Sequence, residues 1–186
     1  MLVARLDAAA AVLVIAGAAP YGAEDLDWMG KMGEDNVEEF SAALAGAETL
    51  ARYLWEQHEH MKDVTVGDIV ASLTSLLPDV DRAVLTDEFG QDIASSFREG
   101  LGNGIDGWLD DDLALVRPWG FDLAEVRRPV TMWQGSADLM VPFAHGEWLA
   151  SHLPGASVHF EEGEGHLSIG VGALDRMLDE LLDLAS

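Results

Sequence analysis

Two short apolar runs near the carboxyl end, residues 130–133 and 157–160, stand one helix length apart, and a third run, 11–16, precedes them by more than a hundred residues. Each ends at turn formers: Gly17, Gly135, and the stretch from Glu161 to Gly163. Runs this short, largely apolar and bounded by turns, read as strands of a parallel sheet. The helix between the last two opens at Pro142 and closes near Gly155, with Phe143, Trp148, Leu149 and Leu153 on its inward face. A final helix carries Leu174, Met177, Leu178, Leu181 and Leu182 as one apolar stripe. Strand, helix, strand, helix in that order is the end of an open, parallel α/β sheet.

The long interval, residues 21–121, contains no strand pattern and no internal repeat. Asp35 with Glu38, and Thr65 with Asp68, resemble helix-start boxes. Val66, Ile69, Val70, Leu73, Leu76 and Leu77 form a helical stripe that stops at Pro78, and residues 88–98 read as another helix, ended by Gly100. A helical block inserted between two strands of one sheet is most simply a cap over the sheet's carboxyl edge. The expected division is therefore residues 1–20 as the first sheet strand, 21–121 as a helical cap, and 122–186 as the rest of the core.

With 186 residues, half of them apolar, the chain has material for one domain with a moderate core, and disorder is not expected. The 34 acidic residues against 10 basic ones give a net charge of −24, a field that repels nucleic acid and anionic membrane surfaces. High-salt adaptation or a cationic partner would explain that charge, but a solvated, solubilising surface is the simpler expectation. Absence of cysteine removes disulfide and thiolate chemistry. Residues 9–20 have the length of a signal-peptide core, too short to span a bilayer. Asp7 immediately before them and a single Arg5 argue against that reading. A buried strand explains the same residues, which leaves a cytoplasmic protein as the expectation.

Chemistry concentrates at the ends of the last two strands. Asp138 lies in Gly135-Ser136-Ala137-Asp138-Leu139-Met140-Val141-Pro142, and His166 in Gly163-Glu164-Gly165-His166-Leu167. Ligands of open α/β sheets bind at the carboxyl edge, where both loops begin. A carboxylate beside an imidazole fixes its tautomer and stabilises the imidazolium that forms when it takes a proton. A turn aspartate and an exposed loop histidine explain either residue alone, but the ordered pair in this context does not follow from those readings.

These motifs resemble the carboxyl-terminal third of the α/β-hydrolase fold family, and residues 11–21 resemble that family's sixth strand and the entry to its cap. The resemblance covers the whole chain and is nearest to actinobacterial hydrolases of unassigned substrate. It implies a truncated α/β-hydrolase fold, a parallel sheet remnant with an inserted helical cap. It also implies hydrolysis of an ester, amide or related bond through an acyl-enzyme, with Asp138 as triad acid and His166 as triad base. A small-molecule substrate would sit under the cap, and no metal or organic cofactor is implied. The departure is the nucleophile: the family carries it in Gly-x-Ser-x-Gly before this chain's first strand, and that motif does not occur here. The surroundings of Ser157 and Ser168 are near misses; the first enters a strand at its amino edge, and in the second His166 stands where the first glycine belongs. The donors of an oxyanion hole are missing with the nucleophile. The alternative is therefore a non-catalytic remnant or interaction module, with possible self-association through the apolar free edge of the first strand.

Other signals have plainer explanations. Gly102-Asn103-Gly104-Ile105-Asp106-Gly107 fits a dinucleotide fingerprint in letters but follows a helix, so it reads as a loop. His58 and His60 point to opposite sides of a helix and read as an exposed polar face. Asp110, Asp111 and Asp112 read as a solvated turn. Trp28, Met29, Met32, Phe40, Tyr53, Trp55 and Trp108 suit a substrate pocket or a cap core equally. His145, at the start of a helix beside the acid loop, reads as a packing or capping residue.

Overall fold

The computed structural model describes residues 8–186. Arg5 and Asp7, which bear on the signal-peptide question, lie outside the described residues. In chain order the elements are β1 (Val12–Ile15), α1 (Glu34–Ala45), α2 (Ala47–Met61), α3 (Val66–Ser72), α4 (Asp79–Val84), α5 (Asp87–Leu101), α6 (Asp106–Leu115), a 3-10 turn (Leu123–Glu125), β2 (Val130–Gly135), α7 (Phe143–His152), β3 (Ser157–Glu161) and α8 (Ser168–Leu184). The three strands form one parallel sheet in the order β1-β2-β3. Val12 lies opposite Val130, and Met132 opposite Val158.

Alternation along β2 divides the core between two faces. Val130 and Met132 pack with Leu149 of α7 and Leu153 just after it, joined by Val12, Val14 and Val158. Thr131 and Trp133 face the other way, where Trp133 packs with Ile169, Ala173 and Met177 of α8. The Thr131 hydroxyl donates to Glu180 at 2.6 Å and so ties α8 to the central strand. Every residue of β2 is buried, as a central parallel strand covered on both faces must be.

The helical block from α1 to α6 touches the sheet at the carboxyl ends of its strands. The Gly33 amide donates to the Leu139 carbonyl at 2.9 Å, and the Asn36 side chain donates to Met140 at 3.0 Å. Val64, Ile69, Leu77, Leu85 and Ala94 form the block's own core, and Met140 and Leu167 from the two sheet-edge loops pack against it.

Several local expectations change. The Thr65–Asp68 box caps α3 reciprocally, but α1 starts from Gly33 without a side-chain cap. Asp35 instead bonds Ser75, forty residues on: its amide donates to the Ser75 hydroxyl at 3.1 Å, and that hydroxyl donates to the Asp35 carboxylate. α3 ends at Ser72, well before Pro78, and α5 runs through Gly100 to Leu101. His58 is buried, with its Nε2 3.0 Å from the Leu101 carbonyl, whereas His60 is exposed. The acidic triplet is part of α6, and Asp112 is buried. On α8 the packed stripe is Ile169, Ala173 and Met177, while Leu174, Leu178 and Leu182 are exposed. Trp133, whose ring stacks on that of His159 at 4.0 Å, is the sheet residue against which this stripe packs.

Candidate active site

The acid loop follows β2 directly and the base loop follows β3, and the two are laced together. Ser136 and Ala137 donate their amides to the carbonyls of Glu161 and Glu164 at 3.0 and 2.8 Å, and the Gly163 amide donates to the Ser136 hydroxyl at 2.8 Å. Gly135 has no room for a side chain, because the Glu164 carbonyl occupies the place of a Cβ. This close approach of two loop backbones is what brings residues 138 and 166 together.

The Asp138 carboxylate is buried and has four donors. Met140 and Val141 amides reach Oδ1, both at 2.8 Å; Oδ2 lies 3.2 Å from the Gln134 side-chain nitrogen and 2.9 Å from Nδ1 of His166. A buried carboxylate is tolerated when its lone pairs are satisfied in this way. Gln134 is itself buried and also donates to the Val141 carbonyl at 2.9 Å, so it braces the acid loop from the end of β2. Gly146 makes room for it: a Cβ there would sit 2.6 Å from the Gln134 side chain. With Nδ1 donating to Asp138, neutral His166 presents an unprotonated Nε2, which has no hydrogen-bond partner among the described residues. The His166 side chain is partly exposed. That is the state in which an imidazole accepts a proton.

A second carboxylate holds the base loop from the helical side. Asp81, fully buried on α4, accepts the backbone amides of His166, Leu167 and Ser168 at 2.9, 3.0 and 2.8 Å. Neither Asp81 nor Gln134 was legible as a site residue. Asp81 follows Pro78 in a short helix like any surface aspartate, and Gln134 is one polar residue in an apolar run.

The remaining candidates separate. His145 is fully buried: its Nδ1 accepts from the Ala19 amide at 3.1 Å and its Nε2 donates to the Trp28 carbonyl at 2.8 Å. Burial pushes its pKa down, against the opposing pull of the Trp28 carbonyl and the Asp138 charge. It is a neutral pin between the loop after β1 and α7. Trp28, Met32 and Phe40 belong to a packed cluster, Trp55 is exposed, and Tyr53 and Trp108 line a cavity of about 450 Å³ that reaches Met140, two residues from Asp138. Beside that cavity Trp108 donates to Glu39 at 2.8 Å. Glu39 and buried Asp112 share a site: burial, then the Glu39 charge, pushes the Asp112 carboxyl up to about 8, and burial raises Glu39 as well. Of the near-miss serines, Ser157 stands at the amino end of β3, and Ser168 is buried with its hydroxyl accepting the Gly165 amide at 2.8 Å. Among the described residues no cluster of histidine and carboxylate groups has the arrangement of a metal site, and no helix is long and apolar enough to cross a membrane.

Comparison with known proteins gives the setting of this geometry. No protein-family model matches the chain. Over 66 residues, 36% of this chain and 24% of the other, it is 36% identical to a pimeloyl-(acyl-carrier protein) methyl ester esterase of Aromatoleum aromaticum. Among solved structures it is similar to a bromoperoxidase from Bacillus anthracis (TM-score 0.51, 19% identity, 94% of this chain and 57% of that one). It is also similar to a hydrolase from Pseudomonas aeruginosa (TM-score 0.53, 20% identity, 91% and 54%). A thermophilic esterase from Thermogutta terrifontis compares likewise (TM-score 0.54, 14% identity, 95% and 57%). The chain thus spans little more than half the length of the solved structures it matches, and about a quarter of the curated relative.

Proposed function

From the premise that this chain has an α/β-hydrolase fold over about half the length of its structural neighbours, we propose that it carries the acid and base of a serine-hydrolase-like esterase site. The observation that carries this reading is the 2.9 Å hydrogen bond from His166 Nδ1 to the buried, four-donor carboxylate of Asp138. Nε2 of His166 takes the proton of a hydroxyl nucleophile as that oxygen bonds to the substrate's carbonyl carbon. The resulting imidazolium, stabilised by Asp138, returns the proton to the leaving oxygen or nitrogen as its bond to carbon breaks. Water then replaces the leaving group at the same position and repeats the two transfers, freeing the acid product. The sequence contains no Gly-x-Ser-x-Gly, so what these residues contribute in this reading is the acid and the base. The substrate is a small ester held beneath α1 to α6, where the cavity opens toward Met140.

The test uses p-nitrophenyl butyrate. This chain by itself should not exceed the background rate. Fused to the part of the Thermogutta terrifontis esterase that it does not match, it should hydrolyse the ester, and His166→Ala should abolish that rate. A folded fusion whose rate ignores His166→Ala would refute the assignment.

One observation favours a second, non-catalytic reading. Ile15 at the end of β1 and Val171, Leu174, Leu178 and Leu182 along α8 are exposed, an apolar face rare on a soluble monomer. In that reading the face and the free edge of β1 pair with a second copy of the chain.

A further inference from the structure

We propose that Asp81 is a positioning residue through which the helical block sets the orientation of the base, so that His166 meets Asp138 only while α4 is docked. The inference rests on the acid–base reading above and adds to it the element that controls it. Both carboxylate oxygens are engaged: Oδ2 accepts the His166 amide, and Oδ1 the amides of Leu167 and Ser168. The side chain is fully buried, and among the described residues no lysine or arginine pairs with it. Its charge is balanced instead by three amides at the positive end of α8, a helix of 17 residues. The grip has an apolar half as well, since the Leu167 side chain packs into the block's core with Leu77 and Leu85, which flank α4.

The placement of this contact distinguishes it from ordinary helix capping. An N-cap aspartate comes from the residue beside the helix; here it comes from 85 residues earlier, on another layer of the fold. On its other side the base loop is bound to the acid loop through Glu164 and Gly163. The backbone of His166 is therefore stretched between two anchors, the sheet and the helical block. Gly165 lies between them, and its Cβ position is filled by the Asp81 carboxylate itself. The ring of His166 follows its own backbone, so a displaced α4 turns Nδ1 away from Asp138.

The experiment reads the His166 ring and backbone by NMR in the full chain, comparing wild type, Asp81→Asn and Asp138→Asn. Asparagine keeps the shape but replaces one acceptor with an NH2 facing an amide donor. The expected result for Asp81→Asn is at least tenfold faster amide exchange at residues 166–168 and a mixed Nδ1-H and Nε2-H population in His166, with amides of β2 unchanged. In wild type under mild urea, the His166 tautomer should be lost together with protection of Leu77 and Leu85 and before that of β2, a measurement that needs no variant. A tautomer that responds to Asp138→Asn but not to Asp81→Asn, or that outlasts opening of α4, overturns the positioning role alone. A tautomer indifferent to both substitutions overturns the acid–base pair and the positioning role with it.

Discussion

Replacing Asp112 by asparagine should flatten the pH dependence of stability above neutrality. In the folded protein Asp112 holds a proton up to about pH 8, because burial and the neighbouring Glu39 disfavour a second charge. Asp111 adds to this on α6, Asp35 raises Glu39 from α1, and Tyr53 on α2 is held well above a free phenol mainly by burial and then by these carboxylates. In the unfolded chain Asp112 titrates near its ordinary value of 3.8. Its folded pKa is raised, so its stabilising contribution is complete below pH 3.8 and is lost as pH rises toward 8. One proton limits the slope to about 1.4 kcal/mol per pH unit. From pH 6.5 to 8 that bound is about 2 kcal/mol, and solvent reaching the half-buried Glu39 from the cavity screens it to about 1 kcal/mol. Every other titrating group is common to wild type and Asp112→Asn, so the difference between the two proteins reports the carboxyl pair. Urea unfolding at pH 6.5 and 8 should show wild type losing about 1 kcal/mol more than Asp112→Asn, whose amide still donates to Glu39. Equal losses in the two proteins would refute the shared proton.

Three further outcomes follow from named contacts. Gly165→Ala forces a methyl group into the Asp81 carboxylate and should cost about 1–3 kcal/mol by urea unfolding, whereas a neutral substitution would mean that the two do not touch. His145→Leu leaves the Ala19 amide and the Trp28 carbonyl unpaired and should cost about 2–5 kcal/mol. Because burial lowers its folded pKa, His145 contributes stability above about pH 6.5 that wild type loses as pH falls; the variant should lack this loss on the acid side, and retention would assign it elsewhere. The pair Leu174→Glu and Leu178→Glu, both on the exposed face of α8, should change monomer stability by only about 0.5 kcal/mol yet shift sedimentation toward monomer; a wild type that stays monomeric on concentration would count against self-association there.

The sheet was readable because its strands are short, largely apolar runs closed by turn formers, and 11–16, 130–133 and 157–160 each contain or begin an observed strand. The contact between Asp138 and His166 was readable because their loops start where those runs stop, on neighbouring strands. What was not readable depends on distant partners. Asp35 is drawn from a helix cap by Ser75, and Asp112 becomes buried through Glu39 and Trp108. Gln134 and Asp81 acquire meaning only when the loops they brace are in place. On α8, periodicity shows two apolar stripes and cannot say which meets the sheet; in the fold it is the one containing Ala173, packed on Trp133.

The central claim, that Asp138 and His166 form a working acid–base pair, is tested most directly by the long-range proton–nitrogen NMR spectrum of the His166 ring at a pH where it is neutral. Wild type should carry a proton on Nδ1 and a bare Nε2, with that preference lost in Asp138→Asn. A ring protonated on Nε2, or one unchanged by Asp138→Asn, would contradict the claim.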